Sequence, residues 1–163
     1  APHPEEVGAD RIANAVAAEK LYGAPSIVVD FGTATNIDVV DSDGYYIGGA
    51  IAPGLRISMD ALVARAARIA SIPLETPPHA IGRTTEEAVQ SGAVLGTAAM
   101  VEGLVSRIRA ELGAPEACVI ATGGLANIVA DSTNVFDVVD GQLTLKGICE
   151  IARRMRDRVP HTA

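Results

Sequence analysis

Hydrophobic positions along this chain change period several times, and each change predicts an element. Ile12, Ala15, Val16 and Ala18 recur at helical spacing between Asp10 and Tyr22, and Gly23-Ala24-Pro25 stops the run. Three strand-like runs follow, at about 26–31, 35–41 and 45–51, the last two joined by a hairpin turn at Ser42-Asp43-Gly44. After the Pro53-Gly54 break, Leu55, Met59, Leu62, Val63, Ala66 and Ile69 predict a helix over 55–69. Pro73, Pro77 and Pro78 make 71–83 a loop. Thr84 or Thr85 caps the next helix, with Glu86 and Glu87 favourable in its first turn, and the pattern runs through Val89, Met100, Leu104 and Ile108 to about Leu112. A strand at 117–121, the turn Thr122-Gly123-Gly124, a short helix at 125–130, a strand at 135–139 and a helix at 144–158 complete the order. Helix, β-meander, helices and then β-α-β-α predict an α/β fold, a mixed β-sheet flanked by helices.

Composition narrows this picture. The 163 residues suffice for one good core. Apolar residues make up 48%, but there is no Trp and only two Phe and three Tyr, so the core must be Val, Ile, Leu and Ala. A net charge of −7 argues against a nucleic-acid surface, which needs a basic patch. Arg153, Arg154, Arg156 and Arg158 read as a solvated helix face. Cys118 and Cys149 read as small buried residues without a disulfide framework, and the three histidines have no ligand-like spacing to them. No apolar run approaches the ~20 residues that span a bilayer, and no leader opens the chain, so the expectation is a cytoplasmic protein without a membrane partner.

The candidate chemistry centres on Asp30-Phe31-Gly32-Thr33-Ala34-Thr35. The run Ser26-Ile27-Val28-Val29 carries an aspartate to a strand end, where a glycine and two threonines form a bend of bare N–H groups and hydroxyls. Such a concavity suits a phosphate. An aspartate there would repel that phosphate unless it holds a cation or a proton. An ordinary hairpin whose Asp and Thr satisfy turn amides is the competing reading. Asp10, just before a helical pattern, reads equally as an N-cap. Arg11 faces an unfavourable helix dipole and requires a compensating contact.

Taken in order, Gly8-Ala9-Asp10-Arg11, the Asp30–Thr35 string, Gly48-Gly49-Ala50-Ile51-Ala52-Pro53-Gly54, Thr85 in Ile81–Ala88, and Thr122-Gly123-Gly124 resemble the type III pantothenate kinases. These belong to the acetate and sugar kinase, Hsp70 and actin superfamily, and the resemblance runs from about Val7 to Met155. It implies an actin-like (ribonuclease H-like) kinase domain that phosphorylates the primary hydroxyl of pantothenate with ATP and Mg2+, the first step of coenzyme A biosynthesis. It implies Asp10 as catalytic base; Gly8, Ala9, Asp10, Arg11 and Thr85 as substrate contacts, with Thr84 competing for the last role; and Gly32, Thr33, Thr122, Gly123 and Gly124 at ATP, with a lesser part for Thr35. Asp30 would hold a monovalent cation, potassium or ammonium. A guanidinium fork at Arg11 suits the carboxylate of pantothenate. Gly48, Gly49 and Gly54 allow tight backbone passage.

The resemblance also implies an upstream Asp-x-Gly-Asn-Thr strand-turn that supplies the second phosphate jaw. Nothing of that form precedes Gly8, so the chain is expected to be one domain, the C-terminal half of a two-domain kinase, inactive by itself. A regulatory or accessory relative that keeps the fold is the alternative function. Homodimers are the family's assembly. Gly92 and Gly96, with Ala88, Ala99 and Gly103, form a small-residue face that would serve either that contact or packing within the domain.

Overall fold

The computed structural model describes residues 4–65 and 72–158. After a 3-10 turn at Pro4–Glu6 come α1 (Ala9–Tyr22), β1 (Ser26–Phe31), β2 (Ala34–Val40), β3 (Tyr46–Pro53) and α2 (Leu55–Arg65). Then come α3 (Thr85–Gln90), a π-helical turn (Ser91–Leu95), α4 (Gly96–Leu112), β4 (Cys118–Thr122), α5 (Ala126–Ala130), β5 (Val138–Val139) and α6 (Leu143–Arg158). The expected tail of α2, to Ile69, lies outside the described residues.

The five strands lie in the order β3-β2-β1-β4-β5. β1 is antiparallel to β2 and parallel to β4, β2 is antiparallel to β3, and β4 is parallel to β5, so the sheet is mixed as expected. Alternation along the central strands feeds two layers. Ile27, Val29, Phe31 and Val119 join Leu55, Val94, Ala98, Val101 and Val105 from α2, the π-turn and α4. On the opposite face Val28 and Ile120 join Ala17 and Ala18 of α1 and Leu143 of α6. The two helices of that second layer pack so closely that a Cβ on Gly147 would stand 1.9 Å from the Ala13 carbonyl oxygen. Glycine is required there.

Helix 85–112 is continuous but contains a π-turn, which no breaker in the sequence signals. Its 28 residues are long and apolar enough to cross a bilayer by length and composition, which corrects the expectation that no segment reaches that size. Val94, Ala98, Val101 and Val105 nevertheless pack on the sheet, so one face of this helix belongs to the core. Strand β5 is shorter than the predicted 135–139. The Asp137 carboxylate accepts the Val119 N–H at 2.8 Å, so a side chain replaces part of the ladder. Cys149 is exposed on α6, contrary to expectation, and Cys118 is half-buried; both thiols are free. Glu150 pairs with Arg153 and Arg154, and Arg154 reaches Glu19 of α1 at 2.8 Å.

Asp140, before α6, accepts from Tyr22 Oη at 2.7 Å, Lys146 Nζ at 2.7 Å and the Gln142 N–H at 3.1 Å. Burial alone would raise its pKa, but these donors hold the carboxyl below the usual carboxylate range. A depressed folded pKa gives stability that is full above the ordinary value and lost as pH falls through the folded one. Asp140→Asn should therefore cost about 1–3 kcal/mol at neutral pH. In urea denaturation series the gap from wild type should close below about pH 4; a gap independent of pH would exclude this role.

Candidate active site

The C-terminal ends of β1 and β4 meet at one edge of the sheet, where Asp30 stands opposite Asn36 on one side and Thr122 on the other. Between β1 and β2 the chain turns tightly: the Gly32 N–H donates to the Ala34 carbonyl at 3.1 Å, and Gly32 and Thr33 are exposed. Gly54 presses the start of α2 against the Thr33 carbonyl. Gly123 adopts φ +92°, and a Cβ on it would stand 2.5 Å from Asp30 Oδ1 and 2.7 Å from the Phe31 nitrogen. Only glycine fits. Asp30, Gly32, Thr33, Gly123 and exposed Gly124 thus converge, which sets aside the reading of an isolated hairpin. Thr122 and Thr35 are buried within their strands, so their side chains are not displayed at the bend.

Helix α1 approaches the same end from the second layer. Gly8 occupies its N-cap, so Asp10 does not; Asp10 lies exposed in the first turn, beside exposed Ala9. A Cβ on Gly8 would meet Asp10 Oδ1 at 2.5 Å, so the missing side chain makes room for the carboxylate. One turn on, buried Asn14 donates from Nδ2 to Asp30 Oδ2 at 2.9 Å, while its Oδ1 accepts from Thr144 Oγ1 of α6 at 2.7 Å. Because an ionised carboxylate only accepts, this chain of bonds fixes the amide's orientation. Asp30 then has one oxygen bonded to Asn14 and the other over the two glycines. Burial raises its pKa, the Asn14 bond lowers it, and the charge of Asp10 raises it further.

The compensating contact for Arg11 is Asp38. Arg11 Nε and Nη2 reach Asp38 Oδ1 at 2.8 and 2.6 Å, and Tyr46 Oη donates to the same oxygen at 3.0 Å. Burial pushes the Asp38 carboxyl up while Arg11 and Tyr46 pull it down, and the net direction is up. Burial together with the Asp38 charge pushes the Tyr46 phenol up to about 12.

Thr84 and Thr85 separate cleanly. Thr84 is the N-cap of α3 and accepts the Glu87 N–H at 3.1 Å, while Glu87 reaches back to the Arg83 N–H at 2.6 Å. Thr85 instead lines a cavity of about 450 Å³ with Ser58, Met59, Leu62, Ala88 and Gly92. That cavity lies between α2 and α3, in the layer opposite α1, and α2 begins at the Thr33 turn. Gly8, Asp10, Arg11 and Asp30 therefore share one end of the sheet, and Thr85 lies in the other layer.

A family model described as type III pantothenate kinase matches residues 1–107, which include Asp10, Arg11, Asp30, Thr33 and Thr85. The chain belongs to the type III pantothenate kinase family. The type III pantothenate kinase of Thermomicrobium roseum is 58% identical over 153 residues, 94% of this chain and 59% of that protein. That of Paramagnetospirillum magneticum is 52% identical over 151 residues, 93% of this chain and 58% of the relative. The chain thus spans somewhat under three fifths of the length of these curated relatives. Among solved structures, a conserved Baf family transcriptional activator from Campylobacter jejuni superposes with a TM-score of 0.66 at 21% identity, over 94% of this chain and 67% of that one. The ADPNP-bound activator of the 2-hydroxyisocaproyl-CoA dehydratase from Clostridium difficile gives 0.52 at 12%, over 94% and 70%. These likenesses fit the actin-like fold expected of a type III pantothenate kinase.

Sequence reasoning missed Asn14, Asp38, Tyr46 and Thr144. For Asp38 a signal existed: a carboxylate inside the strand run Ile37-Asp38-Val39-Val40 is too costly to bury without a partner. Asn14 carried a weaker one, a polar residue among the alanines of an otherwise apolar helix face.

Proposed function

We propose that the protein carrying this chain transfers the γ-phosphoryl group of ATP to the primary hydroxyl of pantothenate, the first step towards coenzyme A, in the cytoplasm. The observation that carries this reading is the convergence of Asp10, Asp30 and the Gly32-Thr33 turn at one sheet end, in a chain more than half identical to a type III pantothenate kinase over 94% of its length. Asp10 is the general base. It is exposed, outside the helix cap, and available to take the hydroxyl proton as the phosphoryl group arrives. Thr33 and the exposed Gly32 turn approach the nucleotide phosphates, and the Gly123-Gly124 turn lies near the adenosine. Among the described residues no group of three or more His, Cys, Asp or Glu is arranged to hold a metal. The divalent ion that accompanies ATP would neutralise phosphate charge.

Asp30 Oδ1 fits a monovalent cation: it is a hard oxygen, its partner oxygen is bonded to Asn14, and it lies in a cradle that a Cβ on Gly123 would fill. Potassium or ammonium held there would offset phosphate charge. Arg11 is the side chain for the carboxylate of pantothenate; Thr85, which lies in the other layer, would reach the same substrate from a second copy of the chain. An exposed carboxylate kept clear of the cap favours the kinase over a regulatory relative.

The assembly we propose is a homodimer along helix 85–112. Gly92, Gly96, Ala99 and Gly103 recur on one exposed face, and among the described residues a Cβ on any of the three glycines would meet nothing within 4 Å. Packing against the described residues thus does not account for them. Thr85, Ala88 and Gly92 line the same cavity, so a second copy on this face would adjoin the Thr85 pocket.

Asp10→Asn in the intact protein should lower kcat by about 10²–10⁴-fold with little change in pantothenate binding by calorimetry; near-wild-type turnover would remove Asp10 as base. Asp30→Ala should abolish activation by KCl in steady-state assays, and an unchanged potassium requirement would put the cation elsewhere. Gly92→Leu and Gly96→Leu should each shift sedimentation from dimer to monomer; an unchanged dimer in both excludes this face.

A further inference from the structure

Asp38 is fully buried, and its two oxygens are treated differently. Oδ1 takes Arg11 Nε, Arg11 Nη2 and Tyr46 Oη, whereas Oδ2 is buried without a hydrogen-bond partner among the described residues. The backbone is arranged to bring these groups together. Asp38 lies opposite Val28 and so faces the α1 layer. On β3 the register shifts between Val39 and Val40: Val39 pairs with Gly48 and Val40 with Tyr46, which leaves Ile47 as an extra residue. Side chains alternate faces with a period of two, so this bulge sets Tyr46 on the α1 side, where its hydroxyl reaches Asp38. The Arg11 guanidinium also stands 5.8 Å from the centre of the Tyr46 ring. Its edge is held by a carboxylate and its plane by a phenol.

Stability does not explain this arrangement. A buried ion pair is generally no more stabilising than apolar residues of the same volume, and an orphan carboxylate oxygen makes it worse. What the arrangement does fix is the direction of Arg11, a long side chain on the first turn of a helix whose dipole disfavours it. Arg11 adjoins Asp10, and the charge of Asp10 acts on it.

We propose that Asp38, braced by Tyr46, is a positioning residue that holds the Nε–Nη2 edge of Arg11 so that the rest of the guanidinium is presented, pre-ordered, to the carboxylate of the acceptor substrate. The proposal rests on the kinase reading above. It makes Asp38 and Tyr46 determinants of the enzyme's preference for an anionic over a neutral acceptor. Neither residue touches the reacting hydroxyl. Removing either should therefore act on substrate affinity rather than on the chemical step.

The test uses the intact protein with Asp38→Asn and Tyr46→Phe. Asp38→Asn should raise KM for pantothenate roughly tenfold, the scale of ordering one long side chain on binding, with kcat and KM for ATP nearly unchanged. Tyr46→Phe should act in the same direction by about threefold, as the loss of one hydrogen bond. The inhibition constant of pantothenol, which has an alcohol in place of the carboxylate, should not move in either variant. An unchanged pantothenate KM would overturn the proposal, as would equal losses for pantothenate and pantothenol, which would mark a general structural role. If Asp38→Asn fails to fold, judged by thermal melting, Tyr46→Phe decides alone. A wild-type protein that does not phosphorylate pantothenate would sink the kinase reading itself, a result distinct from an active enzyme that ignores both substitutions.

Discussion

The seam between α1 and the sheet is polar at one end and apolar at the other, and the rest of the site depends on that division. Towards its C-terminus α1 seats Ala17 and Ala18 on Val28, Ile120 and Leu143 as any amphipathic helix would. Towards its N-terminus the sheet offers Asp30 and Asp38 instead, and α1 answers with Asn14 and Arg11. Two carboxylates on one sheet face, Asp38 buried and Asp30 partly so, would repel each other and resist desolvation unless each had a donor. One helix supplies both, three residues apart, so a single rigid element sets both acids and carries Asp10 beside them. A shift of α1 along the sheet would unpair both acids and displace Asp10 with them.

The neighbouring helix limits any such shift. The Gly147–Ala13 contact leaves no space for a methyl group between α6 and α1, and Thr144 on α6 bonds Asn14 one turn away. Position is thus set by backbone contact and orientation by a hydrogen bond. The phosphate turn is built by the same means. Gly54 lies against the Thr33 carbonyl and Gly123 against Phe31, so two strand-to-helix junctions close on the bend between β1 and β2. Ligand sites in α/β sheets form where strand ends and helix starts meet, and here that junction collects Asp30, Gly32, Thr33 and Gly123.

Much of this was legible in the sequence, because the signals were local. Apolar runs gave β1 to β4 to within about two residues but overextended β5, and the Gly23–Pro25 and Ser42–Gly44 breaks gave the ends of α1 and the hairpin. Asp30 at a strand end followed by Gly32 gave the turn. The features that were not legible depend on register or distance. The bulge at Ile47 decides which face Tyr46 occupies, and nothing in Gly44-Tyr45-Tyr46-Ile47-Gly48 announces it. Asn14 meets Thr144 across 130 positions of chain. Thr84 and Thr85 could not be separated by pattern, since either can cap; geometry settles it by engaging Thr84 with the Glu87 amide. The π-turn at Ser91–Leu95 leaves the residue pattern helical and changes only the hydrogen-bond offset.

The two layers also divide their tasks in energetic terms. The layer formed by α2, α4 and α5 is nearly all Val, Ile, Leu, Phe and Ala against the sheet, so the hydrophobic contribution to folding is concentrated there. The α1 layer has the smaller apolar cluster and most of the buried polar groups: Asn14, Ser26, Asp38 and Thr122. Apolar packing tolerates volume-conserving substitution, whereas a buried ionic network fails when a single member is lost. Placing the network on the layer that contributes less to the core lets it be shaped by the demands of a charged substrate. The price of its orphaned Asp38 oxygen is met by the packing on the other side of the sheet. The strands between them convert that stability into fixed positions for Asp30 and Asp38, because β1 and β2 belong to both layers at once.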